Sequence, residues 1–194
     1  MPQTVSPRLL ALLASPRPRG ANARLLSTFL KACSGWEIRR IDLSALRIRP
    51  YSENLASRPM SVRDPMSGLI RAFDRADALV LAAPVYFYGF PAQAKAVIDR
   101  CQPLWADPRW RRRRKRPAIF ISTCAAARRS EFEVIRREAK AFFNTIGFQY
   151  LDELFVPGLD RADAARRLGR GQALAVRLAR RLDSVQPARV RARG

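Results

Sequence analysis

The sequence contains no histidine. That excludes Ser-His-Asp and Cys-His nucleophilic systems, and every metal site built on imidazole ligands. The three cysteines, Cys33, Cys101 and Cys124, stand far apart, and no CxxC pair exists. Neither zinc nor cysteine-ligated iron finds its usual spacing, so the expectation is of no metal site and of reduced thiols, two of them buried. No apolar run approaches the roughly eighteen residues needed to cross a bilayer, so no membrane partner is expected. Residues 1–8 are polar, and no small-residue cleavage site follows the apolar stretch after them. These features predict no signal peptide and a cytoplasmic protein. An obvious carboxylate pair is missing too. An enzyme of this composition draws its chemistry from a bound cofactor, and no side chain is assigned a catalytic role.

What the chain has in excess is arginine. The net charge is +21, from 37 basic and 16 acidic residues, and only four of the basic residues are lysine. The one dense cluster is Arg109-Trp110-Arg111-Arg112-Arg113-Arg114-Lys115-Arg116. Such a run invites a nucleic-acid partner. Yet without its seven charges the chain still carries a large positive excess, as a codon bias toward arginine would produce. The run is read as a solvated surface loop, and nucleic acid is not expected as a partner.

Apolar runs and helical patterns alternate from end to end. Strands are predicted over residues 9–14, 36–43, 78–83, 118–122 and 150–156. Helices are predicted over 22–33, 66–75, 91–101, 131–146 and 163–182, with Gly147 as a C-terminal cap. Residues 44–64 read as irregular. Alternation of this kind predicts an α/β fold, with a five-stranded, doubly wound parallel sheet in a single domain over 1–183. A basic, frayed tail is expected over 184–194. Ligands of such sheets bind outside the carboxyl ends of the strands, where the strand order reverses.

Three loops therefore matter. The first runs from Ser15 through Arg17 and Gly20 to Ala21, Asn22 and Ala23. It opens a helix, so backbone amides and the helix dipole face an anion, with Ser15, Asn22 and Arg17 as further donors. The second is Pro84-Val85-Tyr86-Phe87-Tyr88-Gly89-Phe90. Four aromatics in five residues offer flat walls to a planar ligand, and Gly89 is expected to let backbone approach closely; a protein interface is the competing reading. The third, after the fourth strand, is Ser122-Thr123-Cys124-Ala125.

The strings Ala14-Ser15-Pro16-Arg17 with Asn22, and Ala83-Pro84-Val85-Tyr86-Phe87-Tyr88-Gly89 followed by Lys95-x-x-Ile98-Asp99-Arg100, resemble the NADPH-dependent FMN reductase and iron–sulfur flavoprotein family of the flavodoxin-like fold. The resemblance implies FMN, with its phosphate on the first loop, its ring against residues 84–89 and a third contact at 122–124. It implies NAD(P)H as co-substrate, hydride transfer to the flavin and delivery to a quinone, flavin or similar acceptor. It also implies a homodimer or homotetramer, with the second loop's aromatics near a neighbouring subunit. Three features depart from the family pattern. Ala14, Ala21 and Ala23 stand where glycine, serine and threonine are frequent, and Ala125-Ala126-Ala127 replaces a glycine-rich stretch. The segment over residues 50–66 lacks the compact cysteine cluster of the iron–sulfur branch, so no cluster is expected. The alternatives are an FMN electron carrier, or a flavodoxin-like chain that has lost FMN and binds nucleic acid or another anionic partner.

Overall fold

A parallel strand covered on both faces needs a nearly unbroken apolar sequence, and residues 78–83 supply it: all six are buried. The computed structural model describes residues 6–53, 61 and 63–186. Its strands are β1 (Arg8–Leu13), β2 (Glu37–Asp42), β3 (Ala78–Pro84), β4 (Arg116–Thr123) and β5 (Phe148–Val156). All pair in parallel in the order β2-β1-β3-β4-β5. The five-stranded, doubly wound sheet expected from the sequence is therefore present. β2 is an edge strand with Glu37, Arg39 and Arg40 exposed, charges that discourage pairing with another chain.

The helices are α1 (Ala21–Ala32), α2 (Pro65–Arg75), α3 (Ala92–Asp99), α4 (Gln102–Ala106), α5 (Pro108–Arg111), α6 (Glu133–Thr145) and α7 (Ala164–Ser184). Residues of α1 and α7 pack one face of the sheet, around Leu25, Phe29, Ala175 and Leu182. Residues of α2, α3 and α6 pack the other, around Phe73, Val97, Phe142 and Phe143. Each fully buried side chain of this size stabilises the fold by roughly 1.5–3 kcal/mol. α6 ends as expected at Gly147, whose φ of +81° is the left-handed conformation that closes a helix.

The helix predicted over 91–101 stops at Asp99, and α4 and α5 follow it unforeseen. Both carry proline in their first turn, which starts a new helix more readily than it continues an old one. α7 runs to Ser184, and its end is anchored by Trp36 Nε1 donating to Asp183 at 2.8 Å and by Gln186 Nε2 donating to the Ser34 carbonyl at 2.8 Å. The rest of the expected tail, residues 187–194, and part of the irregular stretch over 44–64 lie outside the described residues. Among the described residues no helix is long and apolar enough to cross a membrane.

The arginine run departs from its reading as a solvated loop. It does lie at the amino-terminal edge of the sheet, but half of it is built into the protein. Trp110 is buried, and Arg113 lies over its ring at 4.6 Å while pairing with Asp74. Lys115 Nζ donates to the Asn144 carbonyl at 2.7 Å. Arg116 sits 4.1 Å over the Phe148 ring and donates to the carbonyls of Phe73, Asp74, Ala76, Ile146 and Gly147. Burial, with Arg113 nearby, brings its guanidinium down to about 10. These groups gather the carbonyls at the ends of α2 and α6, where a cation also complements the helix dipole. Arg109, Arg111, Arg112 and Arg114 remain exposed.

Candidate functional site

β1 has β2 on one side and β3 on the other, so the strand order reverses between β1 and β3. The loops leaving their carboxyl ends diverge there and leave a crevice. Ser15 is buried, and its Oγ accepts from the Arg17 amide at 3.2 Å, so this hydroxyl shapes the turn from within. Gly20 caps α1 without a side-chain hydrogen bond. A Cβ on it would stand 3.0 Å from Arg17 Cβ and 3.2 Å from the Arg17 carbonyl, so any larger residue would push against the turn. The amides of Ala21, Asn22 and Ala23 have no acceptor among the described residues, and no acidic side chain occupies the first turn. Uncapped amides at the positive end of a twelve-residue helix are what an anion requires. The Arg17 side chain is exposed beside them.

The second loop is a two-residue hairpin. Tyr86 and Gly89 exchange backbone hydrogen bonds of 3.0 Å, and Val85 donates to the Thr123 carbonyl at 2.9 Å. The two tip residues, Phe87 and Tyr88, have φ of +47° and +66°. Tight hairpins of this kind normally place asparagine or glycine there. Side chains in this region cost roughly 1–2 kcal/mol per residue, and such strain clusters where a ligand or partner uses it. A Cβ on Gly89 would meet Glu138 Oε2 at 3.7 Å, an ordinary contact. The positive φ angles of the turn fall on the two aromatics at its tip and not on Gly89. Tyr86, Phe87 and Tyr88 are exposed, Phe87 fully so, whereas Phe90 turns inward against Phe120 at 5.6 Å.

The third loop completes the crevice. Asn22 Nδ2 donates to Thr123 Oγ1 at 2.7 Å, binding the start of α1 to the end of β4, while Asn22 Oδ1 is buried without a partner. Ser122 is fully buried and its hydroxyl donates to the Ala83 carbonyl at 2.7 Å, which places it between β3 and β4. Cys124 Sγ donates to the Ala126 carbonyl at 3.1 Å. Burial raises this thiol, and Glu131 and Asp160 add to the effect against a Gly158 backbone contact, so it stays protonated at neutral pH. The alanines at 125–127 need no positive φ. The structure thus brings the expected residues of all three loops to one edge of the sheet.

Two groups behind the site were not identified in the sequence. Arg100, which ends the string Lys95-x-x-Ile98-Asp99-Arg100, is buried and donates to Asp64 at 2.6 Å. Asp64 in turn caps α2 by accepting from the Met66 amide at 2.9 Å. Burial opposes ionisation of Asp64, but the bonds from Arg100 and Met66, with the charges of Arg100 and Arg49, outweigh it and hold the carboxyl low. Lys95 pairs with Asp99 one turn on and faces Glu138 of α6 at 3.9 Å. Glu138 also accepts from the Phe90 amide at the foot of the hairpin, and burial raises its carboxyl. Charges in i, i+4 spacing were legible; their convergence under the aromatic hairpin is tertiary.

The donor set fits a phosphate-bearing planar cofactor: the uncapped α1 amides and the aromatic hairpin lie at the same edge of the sheet, and Asn22 Oδ1 is buried there without a partner. It does not fit an iron–sulfur cluster. Cys33 packs with the layer of α1 and α7, whereas Cys101 and Cys124 lie in the layer across the sheet. Burial pushes the Cys33 and Cys101 thiols up to about 12, reinforced by Asp183 for Cys33 and outweighing Arg100 for Cys101. Among the described residues no group of three or more metal-ligating side chains is assembled.

The sequence profile of the family described as NADPH-dependent FMN reductase matches residues 7–157. An iron–sulfur flavoprotein of Archaeoglobus fulgidus is 34% identical over 107 residues, 52% of this chain and 48% of its own length. One from Methanocaldococcus jannaschii is 29% identical over 102 residues, 50% of this chain and 53% of its own. The chain spans about half the length of these curated relatives. Among solved structures, an FMN-dependent NADH-azoreductase from Bacillus anthracis in complex with FMN superposes with a TM-score of 0.74 at 15% identity, covering 91% of this chain and 99% of its own. An NAD(P)H:quinone oxidoreductase from Methanothermobacter marburgensis gives 0.71 at 17% identity, covering 92% and 98%. At such identities the likeness establishes the flavodoxin-like fold.

Proposed function

Since the chain belongs to the NADPH-dependent FMN reductase family, we propose that it is an FMN-dependent oxidoreductase that oxidises NAD(P)H and reduces a small acceptor such as a quinone, a flavin or an azo compound. The observation that carries this reading is the crevice between β1 and β3, where the uncapped start of α1 meets the aromatic hairpin. The amides of Ala21, Asn22 and Ala23, with Arg17, hold the phosphate, and Gly20 lets the turn close around it. Ser15 keeps the turn in shape. Pro84, Val85 and the Tyr86–Gly89 hairpin wall the ring on one side, and Thr123 and Cys124, backed by Ser122, close the other. Asn22 Oδ1 is positioned to accept a hydrogen bond from the bound molecule.

When bound, FMN supplies the hydride-accepting ring, so the chain needs no side-chain acid or base; that agrees with a sequence free of histidine. The protein's part is to orient two planar molecules and keep water from the reacting faces. The basic surface favours an anionic nicotinamide by long-range attraction.

The exposed Tyr86, Phe87 and Tyr88 offer an apolar patch beside the crevice, and a second copy of the chain, in a homodimer or homotetramer, covers it. The protein works in the cytoplasm. NAD(P)H consumption with benzoquinone or an azo dye, measured before and after removal of FMN, tests the assignment. Activity that is lost with FMN and restored by adding it back supports it; turnover indifferent to FMN overturns it.

A further inference from the structure

A second cationic surface starts at Pro18, Arg19 and Ala23 and continues along α1. An open groove of about 350 Å³ is lined by Arg19, Arg24, Lys31 and Arg40, without an acidic residue. None of the four cations has a carboxylate partner among the described residues, although nine ion pairs are formed elsewhere on those residues. Between the cations lie hydroxyl and amide groups already held in place. Arg40 Nη1 approaches Ser27 Oγ at 3.4 Å, and Gln172 Nε2 donates to Thr28 Oγ1 at 3.1 Å.

A positive surface is no distinction on a chain of charge +21. Four cations without carboxylate partners lining one groove are the distinction. A smaller groove at the amino-terminal edge of the sheet also gathers Arg8, Arg39 and Arg75, but Glu37 lines it and Arg8 contacts Asp77. The arginine run of residues 109–116 has Arg113 and Arg116 fixed on Asp74 and on backbone carbonyls, and its exposed Arg111, Arg112 and Arg114, equally without a carboxylate partner among the described residues, are the natural control. In the α1 groove, clustered cations repel one another with nothing to offset the repulsion until an anion arrives.

We propose that this groove, which abuts the α1 N-terminal turn at Ala23 and extends along the helix from it, binds an oligophosphate, a chain of two or three linked phosphates, in addition to the anion at the helix N-terminus. Arg24 and Lys31 are seven residues apart on one helix, about 10 Å along its axis, so their flexible side chains reach the two ends of such a chain. The volume stands at the lower end of the small-ligand range. Among the described residues no aromatic side chain lines the groove, so they offer no stacking platform of the kind single-stranded nucleic acid uses. Free triphosphate and the phosphate tail of a nucleotide share this chemistry.

The test is calorimetric titration with sodium tripolyphosphate at near-physiological salt, with excess FMN present to fill the first site. ATP in a parallel titration represents the ester. The wild type is compared with Arg24→Ser/Lys31→Ser/Arg40→Ser and with a control of equal charge change, Arg111→Ser/Arg112→Ser/Arg114→Ser. Unchanged circular-dichroism melting qualifies each variant. The groove variant is expected to lose at least about tenfold in affinity for both ligands, and the control to stay within about twofold. ATP binding while tripolyphosphate does not would assign the contact to the nucleoside and overturn the proposal. Equal losses in both variants, or no wild-type binding at this salt, would also overturn it. So would displacement of tripolyphosphate by duplex DNA through the same three residues, which would make the groove a nucleic-acid surface.

Discussion

Asn22 and Thr123 are 101 positions apart in sequence and joined by a buried 2.7 Å hydrogen bond. The bond holds the first turn of α1 against the end of β4, with the end of β3 between them in the sheet order. It therefore fixes the spacing of the phosphate loop relative to the third loop. Replacing Asn22 with alanine leaves Thr123 Oγ1 buried without this partner and removes the orphaned Oδ1. We expect a stability loss of about 1–3 kcal/mol in urea unfolding. FMN affinity in a fluorescence titration is expected to fall about tenfold. A variant that loses stability but binds FMN normally would confine Asn22 to the fold.

Arg17 offers the opposite case. Its side chain is exposed and forms no ion pair among the described residues, so Arg17→Ala is expected to melt like the wild type. If it contacts the phosphate, a charge-assisted bond of roughly 1.5–3 kcal/mol disappears and the FMN dissociation constant rises about tenfold or more. An unchanged constant would remove Arg17 from the site.

At the far edge of the sheet, Arg116 serves the fold alone. Arg116→Met keeps much of the packing over Phe148 but leaves the carbonyls of Phe73 and Asp74 without their guanidinium donor. A loss of about 2–4 kcal/mol is expected in denaturant titration, with the FMN constant unchanged. Loss of FMN affinity in a variant still folded would show that the two edges are coupled.

The Asp64–Arg100 pair gives a pH signature. Asp64 has a lowered pKa in the folded protein, so its contribution is complete above the unfolded value, about 4, and is lost as pH falls through the folded value. The destabilisation caused by Asp64→Asn, read from thermal melts, should therefore be constant above about pH 5.5 and shrink toward pH 3. A deficit that does not change with pH would mean that Asp64 acts only as the cap of α2.

Much of this architecture was legible in the sequence. The run over 78–83 is apolar throughout because both faces of β3 are covered, and the proline after it and the glycine at 147 mark real ends. The three site loops were legible because topology alone puts strand ends on one edge. Side-chain assignments were harder. Ser15 and Ser122 look like ligand donors in one dimension, but their hydroxyls are engaged by the protein itself. The arginine run reads as solvent-facing until Phe148, from another part of the chain, comes beneath Arg116. Positive φ at Phe87 and Tyr88 contradicts local preference, and only the Tyr86–Gly89 pairing reveals it.

The most direct measurement is an anaerobic absorption titration of the purified protein, reconstituted with FMN and passed through gel filtration, with NADPH and then NADH. The expected result is one FMN retained per chain, a visible flavin band, and bleaching of that band by stoichiometric reduced nicotinamide. Oxygen or a quinone should then restore it. Failure of the chain to retain FMN would contradict the reading of the crevice between β1 and β3. Retained FMN that neither nicotinamide reduces would contradict the reductase assignment while leaving the cofactor site intact.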